Sequence, residues 1–349
     1  AIKLKDDFEF IYGDLIHAKL HICDWSNYDF YRKKIESEIT KNKNVIRPFG
    51  ILSLTDDQRK HKIVSENYSK YLFQNLPDKP KINQGNKKKI KIGYFSGDFR
   101  NHAVLSLILD VFKNHNKLKF QIYAFYHGDK EDEHTIKAKK YFYKFFNVCN
   151  FTEEEIANLS RKEKIDIAID LCGHTKYAIN KTYYYRAAPI QINYLGYPGT
   201  MGNKFYDYII ADKNILPPEE SKNFSEKIIH LPNCYQANQQ NVKISEKSLS
   251  KKDFNLPKDQ IIFGCLNSSY KINPNVFDCW MKILIKCEKS ILWLLKESEL
   301  ISSNLIKEAK KRGVDKQRLI FANKTSREIH LKRFEFIDLY LDTFPYGAH

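Results

Sequence analysis

The sequence predicts an α/β fold, and three observations support this prediction. Residues 90–96 (IKIGYFS) have the composition of a buried strand, and a polar turn and the apolar helical run AVLSLILDVF follow them. From there onward, strand and helix patterns alternate, which is typical of a parallel, doubly wound sheet. The same alternation starts again near Gln260. The sequence therefore predicts two doubly wound domains, each with its ligand side at the carboxyl ends of its strands.

The first 86 residues lack this alternation and predict a helical segment. The PFGILSL stretch at 48–54 is expected to be extended, and PDKPKINQGN at 77–86 is typical of a linker. The first two helices suggest the end of a helical array that continues upstream. Amphipathic helices are expected at residues 10–25, 30–42 and 57–73.

The first α/β domain is predicted to contain six or seven strands. A helix over 153–164 is expected to be capped by Thr152, and another helix is expected over 129–142. Strands are expected at residues 90–96, 120–126, 165–171, 189–195, 206–212 and 227–232.

The second domain is predicted to have four strands. Its helices are expected to begin at Pro274, to end at Gly313 and to cover 325–336. A lone four-stranded parallel sheet leaves an edge and a face uncovered, so we expect the sequence to be a fragment that lacks about 100 or more further residues. Strands are expected at residues 261–267, 290–296, 318–323 and 338–344.

These patterns predict three parts of the chain. Residues 1–86 form a helical segment, residues 87–250 the first α/β domain, and residues 251–349 the second, incomplete one.

Composition limits the class of protein. The 349 residues are 42% hydrophobic, which is enough for a packed core, and no apolar run approaches the roughly 20 residues of a membrane helix. The seven cysteines are scattered without a CxxC pair, which favours a reducing, cytoplasmic setting and argues against a zinc site. The net charge of +16 is spread along the chain, so nucleic-acid binding is not favoured.

Polar residues follow the predicted strands of the first domain. If Asn101 caps the first helix, His102 lies in its first turn, where the helix dipole lowers the imidazole pKa and keeps the ring able to accept a proton. Asp170 and His174 follow another strand. The glycine-rich loop from Leu195 allows backbone to approach a ligand closely. Each feature has a plain structural alternative as a cap, a turn or a packed side chain.

The second domain offers two further groups. Lys271 precedes a helix amino terminus, an arrangement that suits a diphosphate. His330 and Arg333 lie three residues apart on one helix face. Here too the plain alternatives are a solvated lysine and a packed histidine. No GxGxxG follows the first strand and no GxxxxGK[ST] is present, which counts against dinucleotide oxidoreductases and P-loop enzymes.

The order and spacing of these loops resemble a known family. KIKIGYFSGDFRNHAV, IDIAIDLCGHTK, RAAPIQINYLGYPGTMG, NSSYKINPNVFDCWMKIL and HLKRFEFIDLYLDTFPYGAH are similar to the catalytic region of O-linked N-acetylglucosamine transferases, which include the SPINDLY proteins. The upstream CDW segment resembles the one that joins their tetratricopeptide repeats to the catalytic core. The resemblance implies a GT-B fold, with two Rossmann-like domains and the sugar nucleotide in the cleft between them.

The resemblance also implies an activity: inverting, metal-independent transfer of a sugar from a UDP donor to Ser or Thr of acceptor proteins, with no cofactor. N-acetylglucosamine is the expected sugar, and the departures at Ser268, Thr325 and Tyr346 leave the sugar open. The upstream repeats offer a route to oligomers, and no membrane is involved.

The resemblance assigns roles to individual residues. His102, Asp170 and His174 are expected at the acceptor side, with His102 as general base or organiser of the site. Lys271 is expected to hold the diphosphate. The remaining donor-binding residues are expected to be Leu195, Gly196, Ser268, Thr325, Arg327, His330, Arg333 and His349.

Two alternatives stay open at this point. One is a non-catalytic, degenerate binding module whose basic surface docks an acidic partner or nucleic acid. The other is a different GT-B sugar-nucleotide enzyme, such as an epimerase. The Thr-Thr pair that the resemblance implies after His349 is not in the sequence, which leaves open whether the fragment alone is active.

Overall fold

The computed structural model describes residues 8–74 and 88–348, and these residues form two compact units. The seven-strand unit consists of residues 42–44, 57–74 and 88–241. The four-strand unit consists of the described residues up to 41, residues 45–56 and those from 242 onward. The predicted linker at 77–86 and the candidate donor residue His349 lie outside the described residues.

Helices and strands alternate through most of the described chain. The helices are α1 (Ile11–His21), α2 (Tyr28–Ile39), α3 (Pro48–Ile51), α4 (Gln58–Phe73), α5 (Ala103–Asn114), α6 (Glu133–Lys139), α7 (Glu153–Lys162), α8 (Asn180–Tyr184), α9 (Pro274–Lys286), α10 (Glu299–Lys311) and α11 (Arg327–Lys332). The strands are β1 (Ile90–Ser96), β2 (Phe120–Tyr126), β3 (Lys144–Asn147), β4 (Ile167–Asp170), β5 (Ile190–Asn193), β6 (Tyr208–Asp212), β7 (Lys227–Leu231), β8 (Ile261–Cys265), β9 (Ser290–Leu295), β10 (Leu319–Ala322) and β11 (Leu339–Tyr340).

The sheet of the seven-strand unit is parallel throughout, in the order β3-β2-β1-β4-β5-β6-β7. Helix α5 covers one face because Leu105, Ile108 and Phe112 recur at helical spacing and are buried against the strands. Since parallel strands end at one edge, the loops after β1, β4 and β5 lie along the same edge. These three loops carry the predicted site residues of the first domain.

The sheet of the four-strand unit is also parallel, in the order β10-β9-β8-β11. Its core centres on Trp293, which is fully buried. Helix α9 begins at Pro274, after the side chain of Asn273 accepts a hydrogen bond from the backbone N–H of Val276. Helices α1, α2 and α3 belong to this unit, whereas α4 belongs to the other. The grouping into two units does not test the predicted domain boundaries at 86/87 and 250/251, which stay predictions.

Three local predictions were wrong or incomplete. The stretch at 48–54 is not extended, because Pro48 opens the short helix α3. Two short elements were not predicted: strand β3 at the sheet edge, with two exposed and two half-buried residues, and the five-residue helix α8. The Thr152 cap is confirmed, and Glu155 completes a capping box with it. Among the described helices, none is both long and apolar enough to cross a bilayer.

Candidate functional site

His102 lies between β1 and α5 and caps the helix itself. Its Nδ1 accepts a hydrogen bond from the backbone N–H of Val104 at 3.3 Å. The prediction that Asn101 is the cap and His102 a first-turn residue was therefore wrong. Asn101 directly precedes the cap, and its backbone N–H donates to Asp132 Oδ2 at 2.7 Å.

Burial and two charged neighbours set the charge state of His102. Burial lowers the pKa of the ring, Asp98 raises it, and Arg100 lowers it. Asp98 Oδ2 lies 3.6 Å from Nδ1, and 39% of the His102 side chain is exposed. Because Nδ1 accepts from the backbone, the neutral ring carries its proton on Nε2. His102 therefore presents an N–H donor, and it takes up a proton at Nδ1 only if the cap opens.

Asp170, at the end of β4, is fully buried. Its Oδ1 accepts from the backbone N–H groups of Cys172 at 2.8 Å and Gly173 at 3.1 Å. Its Oδ2 accepts from the Tyr206 hydroxyl at 2.6 Å. Burial raises the pKa of this carboxyl, and the three donors oppose the rise. Asp170 thus fixes the loop that leads to His174.

His174 is buried in the same network. Its Nε2 donates to the carbonyl of Met201 at 3.2 Å, and its Nδ1 accepts from Asn180 Nδ2 at 3.3 Å. The rings of Tyr68 and Tyr197 pack edge-on against it. Burial lowers the pKa of His174 to about 4, so the ring is neutral near pH 7.

The loop after β5 approaches the loop after β4 very closely. The backbone N–H of Gly196 donates to the carbonyl of Tyr194 at 3.0 Å, and Leu195 between them has a φ of 72°. This is the three-residue turn that is rare and strained for a residue other than glycine. A Cβ at Gly196 would lie 1.9 Å from the carbonyl oxygen of Leu171, so only glycine fits.

Lys271 ends a 3₁₀ turn, Ser269–Lys271, at the carboxyl end of β8. The residue is only 8% exposed. Its Nζ donates to the carbonyl of Gly347 at 2.8 Å and lies 4.0 Å from the centre of the Tyr346 ring. Within residues 8–74 and 88–348 it makes no ion pair. Burial lowers the pKa of Lys271, and Asp342 raises it.

A second cationic group lies at the end of β10. Arg333 is 1% exposed, donates to the carbonyl of Asn323 at 3.0 Å and hydrogen-bonds His330 Nδ1. Burial and, to a smaller extent, the charge of Arg333 lower the pKa of His330 to about 4, so the ring is neutral near pH 7 and accepts from the guanidinium. Arg333 Nε is buried without a hydrogen-bond partner.

The remaining donor candidates are more peripheral. Ser268 directly precedes the 3₁₀ turn of Lys271 and is half-buried. The Thr325 hydroxyl donates to the carbonyl of Ser326 at 3.2 Å, and Arg327 is the first residue of α11. Both Thr325 and Arg327 are exposed.

The structure thus brings the candidates together in three groups. Asp170, His174, Leu195 and Gly196 lie on adjoining loops of the seven-strand unit. Lys271 lies beside Tyr346, and His330 lies against Arg333. Three contributors were not predicted from the sequence. Asp98 lies four residues before His102, whereas the contacts of Tyr206 with Asp170 and of Tyr346 with Lys271 are long-range in sequence. Among the described residues, no three His, Cys, Asp or Glu side chains group to hold a metal ion.

Two parallel α/β sheets with polar strand-end loops, preceded by helices, define a GT-B-type glycosyltransferase fold. This fold prediction is confirmed by a solved O-GlcNAc transferase variant from Thermobaculum terrenum, which is similar with a TM-score of 0.82 at 22% identity. The match covers 99% of this chain and 67% of that one. The chain belongs to glycosyl transferase family 41, whose model matches residues 22–242 and 236–349.

Curated relatives agree with this family. The chain is 29% identical over 357 residues to the probable UDP-N-acetylglucosamine–peptide N-acetylglucosaminyltransferase SEC of Arabidopsis thaliana, covering 96% of this chain and 36% of that protein. It is 29% identical over 276 residues to the probable SPINDLY transferase of the same plant, covering 75% of this chain and 29% of that protein. The chain therefore spans about a third of the length of these relatives. The predicted family is confirmed.

Proposed function

We propose that the chain is the catalytic region of an inverting, metal-independent glycosyltransferase. It moves a sugar, N-acetylglucosamine in the first instance, from a UDP donor to Ser and Thr hydroxyls of proteins. The names of its relatives support the donor and the peptide acceptor. The single observation that carries the proposal is Lys271, a buried ammonium at a strand end of the four-strand unit that makes no ion pair among the described residues.

On the donor side, Lys271 neutralises the diphosphate. In glycosyl transfer the sugar–oxygen bond breaks and negative charge builds on the departing UDP, so a fixed cation stabilises the transition state. An ammonium already desolvated by the fold interacts with that charge more strongly than one in water. His330 and Arg333 hold the nucleoside end. Ser268, Thr325 and Arg327 line the donor, and His349, outside the described residues, completes this part of the proposal.

On the acceptor side, His102 organises the attacking hydroxyl. Its Nε2–H donates to an oxygen of the substrates, and the proton of the acceptor hydroxyl leaves to water, because the ring takes up a proton at Nδ1 only if the helix cap opens. Asp170 and His174 hold the two loops rigid, since their polar atoms are engaged by backbone and side-chain partners. Leu195 and Gly196 lie against the sugar, on a turn that the close contact of Gly196 with the carbonyl of Leu171 holds in place.

The proposal also covers the location, the cofactors and the partners of the protein. The protein acts in the cytoplasm on protein substrates without a metal ion or an organic cofactor. It uses neither a membrane nor nucleic acid, and repeats upstream of the chain offer the route to oligomers. The scattered cysteines of the sequence support this setting, since buried free thiols such as Cys172 and Cys265 persist in reducing compartments.

Calorimetric titration with UDP tests the proposal. Lys271→Ala should weaken UDP binding by about 10- to 100-fold, because hydrogen bonds to charged groups contribute about 1.5–3 kcal/mol. Lys251→Ala is the matched control, since Lys251 also donates to a carbonyl of the four-strand unit, that of Lys258 at 3.3 Å, but at the surface. It should leave UDP affinity unchanged.

Two measurements separate this proposal from the two alternatives. In the titration, specific UDP binding should survive moderate salt, whereas the docking of a non-catalytic module through its basic surface should disappear. In an assay of the donor without any acceptor, epimerisation would favour another GT-B sugar-nucleotide enzyme. Unchanged UDP affinity in Lys271→Ala would remove the diphosphate assignment.

A further inference from the structure

Helix α1 ends in a turn that leaves two backbone carbonyls free of helical partners. Cys23 has a φ of 51°, its N–H donates to the carbonyl of Leu20 at 3.1 Å, and the N–H of Asp24 donates to the carbonyl of Lys19 at 2.9 Å. This is the Schellman arrangement, with cysteine at the left-handed position that glycine usually occupies. The turn satisfies two of the last four carbonyls and leaves those of His21 and Ile22.

Both remaining carbonyls bind side chains from the second half of the chain. The Ser269 hydroxyl donates to the carbonyl of His21 at 2.8 Å. Asn304 Nδ2, on α10, donates to the carbonyl of Ile22 at 2.8 Å. The Cys23 thiol lies 3.9 Å from the carbonyl oxygen of Ser269 and donates to it. The strained backbone of Cys23 thus places its thiol within reach of Ser269, the residue whose hydroxyl binds the helix end.

Ser269 is the first residue of the 3₁₀ turn that ends at Lys271. Its backbone N–H donates to Glu297 Oε2 at 2.8 Å, and its carbonyl also accepts from the N–H of Ile272 at 2.9 Å. With its hydroxyl on α1, Ser269 has every polar group engaged. It is 4% exposed, so water does not substitute for these partners.

The ring of Tyr270 adds a second link between α1 and the same turn. It packs against the rings of His17 and His21, with centroids 5.6 and 4.9 Å away. Tyr270 also lies 6.1 Å from Tyr346, whose ring lies under the Lys271 ammonium. The backbone and the aromatic surroundings of Lys271 are therefore both held by α1.

We infer that the carboxyl end of α1 positions the donor-binding lysine, with Ser269 as the positioning residue. The inference rests on the proposed function and adds to it a role for the helical segment that precedes both sheets. Because the hydroxyl of Ser269 anchors the turn two residues before Lys271, loosening it lets the ammonium drift from the place where the diphosphate is held. The nucleoside end of the donor, bound elsewhere in the unit, is unaffected.

Titrations of the whole chain with UDP and with uridine test this inference. Ser269→Ala should weaken UDP binding by about three- to tenfold, the factor that corresponds to one ordinary hydrogen bond, and leave uridine binding unchanged. Ser302→Ala is the matched control: it removes another buried serine hydroxyl of the same unit, 6% exposed, which donates to the carbonyl of Ser298 at 3.2 Å. It should change neither affinity.

A second variant covers the case in which Ser269→Ala does not fold. Asn304→Ala breaks the other link to α1 at an exposed position, and it should weaken UDP binding at least twofold with uridine binding unchanged. UDP affinity within the error of the wild type in the folded variants would overturn the inference. Equal losses for UDP and uridine would also overturn it, since they indicate general loosening. If the wild-type chain does not bind UDP, the proposed function fails instead.

Discussion

The close approach of Gly196 to the loop after β4 gives a sharp test of the geometry at the proposed sugar site. In Gly196→Ala the new Cβ would lie 1.9 Å from the carbonyl oxygen of Leu171 and 2.9 Å from its carbon. An ordinary carbon–oxygen contact is about 3.3 Å, so one backbone has to move by more than about 1 Å. Neither loop moves easily, because Asp170 binds two backbone N–H groups of one and Asn193 Nδ2 donates to the carbonyl of Gly199, at 3.0 Å, in the other.

Overpacking of this kind typically costs about 1–3 kcal/mol, and two pinned backbones place the expected loss near the upper end. Urea unfolding of Gly196→Ala should therefore show a free energy of unfolding lower by about 2–3 kcal/mol. Sugar transfer should fall at temperatures where the variant is still folded, because the turn at Leu195 has shifted.

Gly313→Ala separates this steric cost from backbone strain. Gly313 has a φ of 79°, and a Cβ there would meet no atom within 4 Å. Only the left-handed conformation is penalised, by about 1 kcal/mol. A Gly196→Ala variant that loses no more stability than Gly313→Ala would refute the close approach of the two loops.

Three further predictions concern stability. Tyr206→Phe removes the hydroxyl that donates to the buried carboxylate of Asp170, so the free energy of unfolding should fall by about 1.5–3 kcal/mol; an unchanged urea midpoint would contradict this. His174 has a pKa lowered to about 4 in the folded chain, so the unfolded chain takes up the proton first, and the stability present at pH 7 is lost as the pH falls below about 6.5. In His174→Gln the difference in unfolding free energy between pH 7 and pH 5 should shrink by about 2 kcal/mol, and an unchanged difference would show that the ring is not buried neutral. Thr152→Ala removes a capping box from α7 and should cost about 1 kcal/mol in thermal or urea unfolding, whereas no change would mean that the cap is not formed in solution.

Much of the fold was predictable because its signals are local. Three correctly predicted features depend on residues that are close in sequence: strand β1, the Thr152 cap and the helix end at Gly313. Alternating strand and helix patterns then predict parallel sheets, and parallel sheets place the strand-end loops along one edge. The loops with Asp170, Leu195 and Lys271 could therefore be selected from the sequence.

The errors arise where distant residues decide a local conformation. Asn101 is a better intrinsic cap than His102, but Asp132, thirty-one residues away, binds its backbone N–H. Tyr346 lies 75 residues beyond Lys271 and shares no periodic pattern with it, yet its ring lies under the ammonium. The first three helices precede the seven-strand sheet in sequence but belong to the four-strand unit. Hydrophobic spacing predicts α1 and α2 as amphipathic helices, and it does not identify which unit they join.

Sugar transfer by the wild type and by Lys271→Ala tests most directly whether Lys271 neutralises the diphosphate of the donor. Each would be incubated with UDP-N-acetylglucosamine, a serine- and threonine-containing acceptor protein and a chelator, and the mass of the acceptor would be measured. We expect the wild type to add N-acetylglucosamine to the acceptor and the variant to add it at least about tenfold more slowly. Transfer at the wild-type rate by Lys271→Ala would show that this lysine does not stabilise the departing UDP.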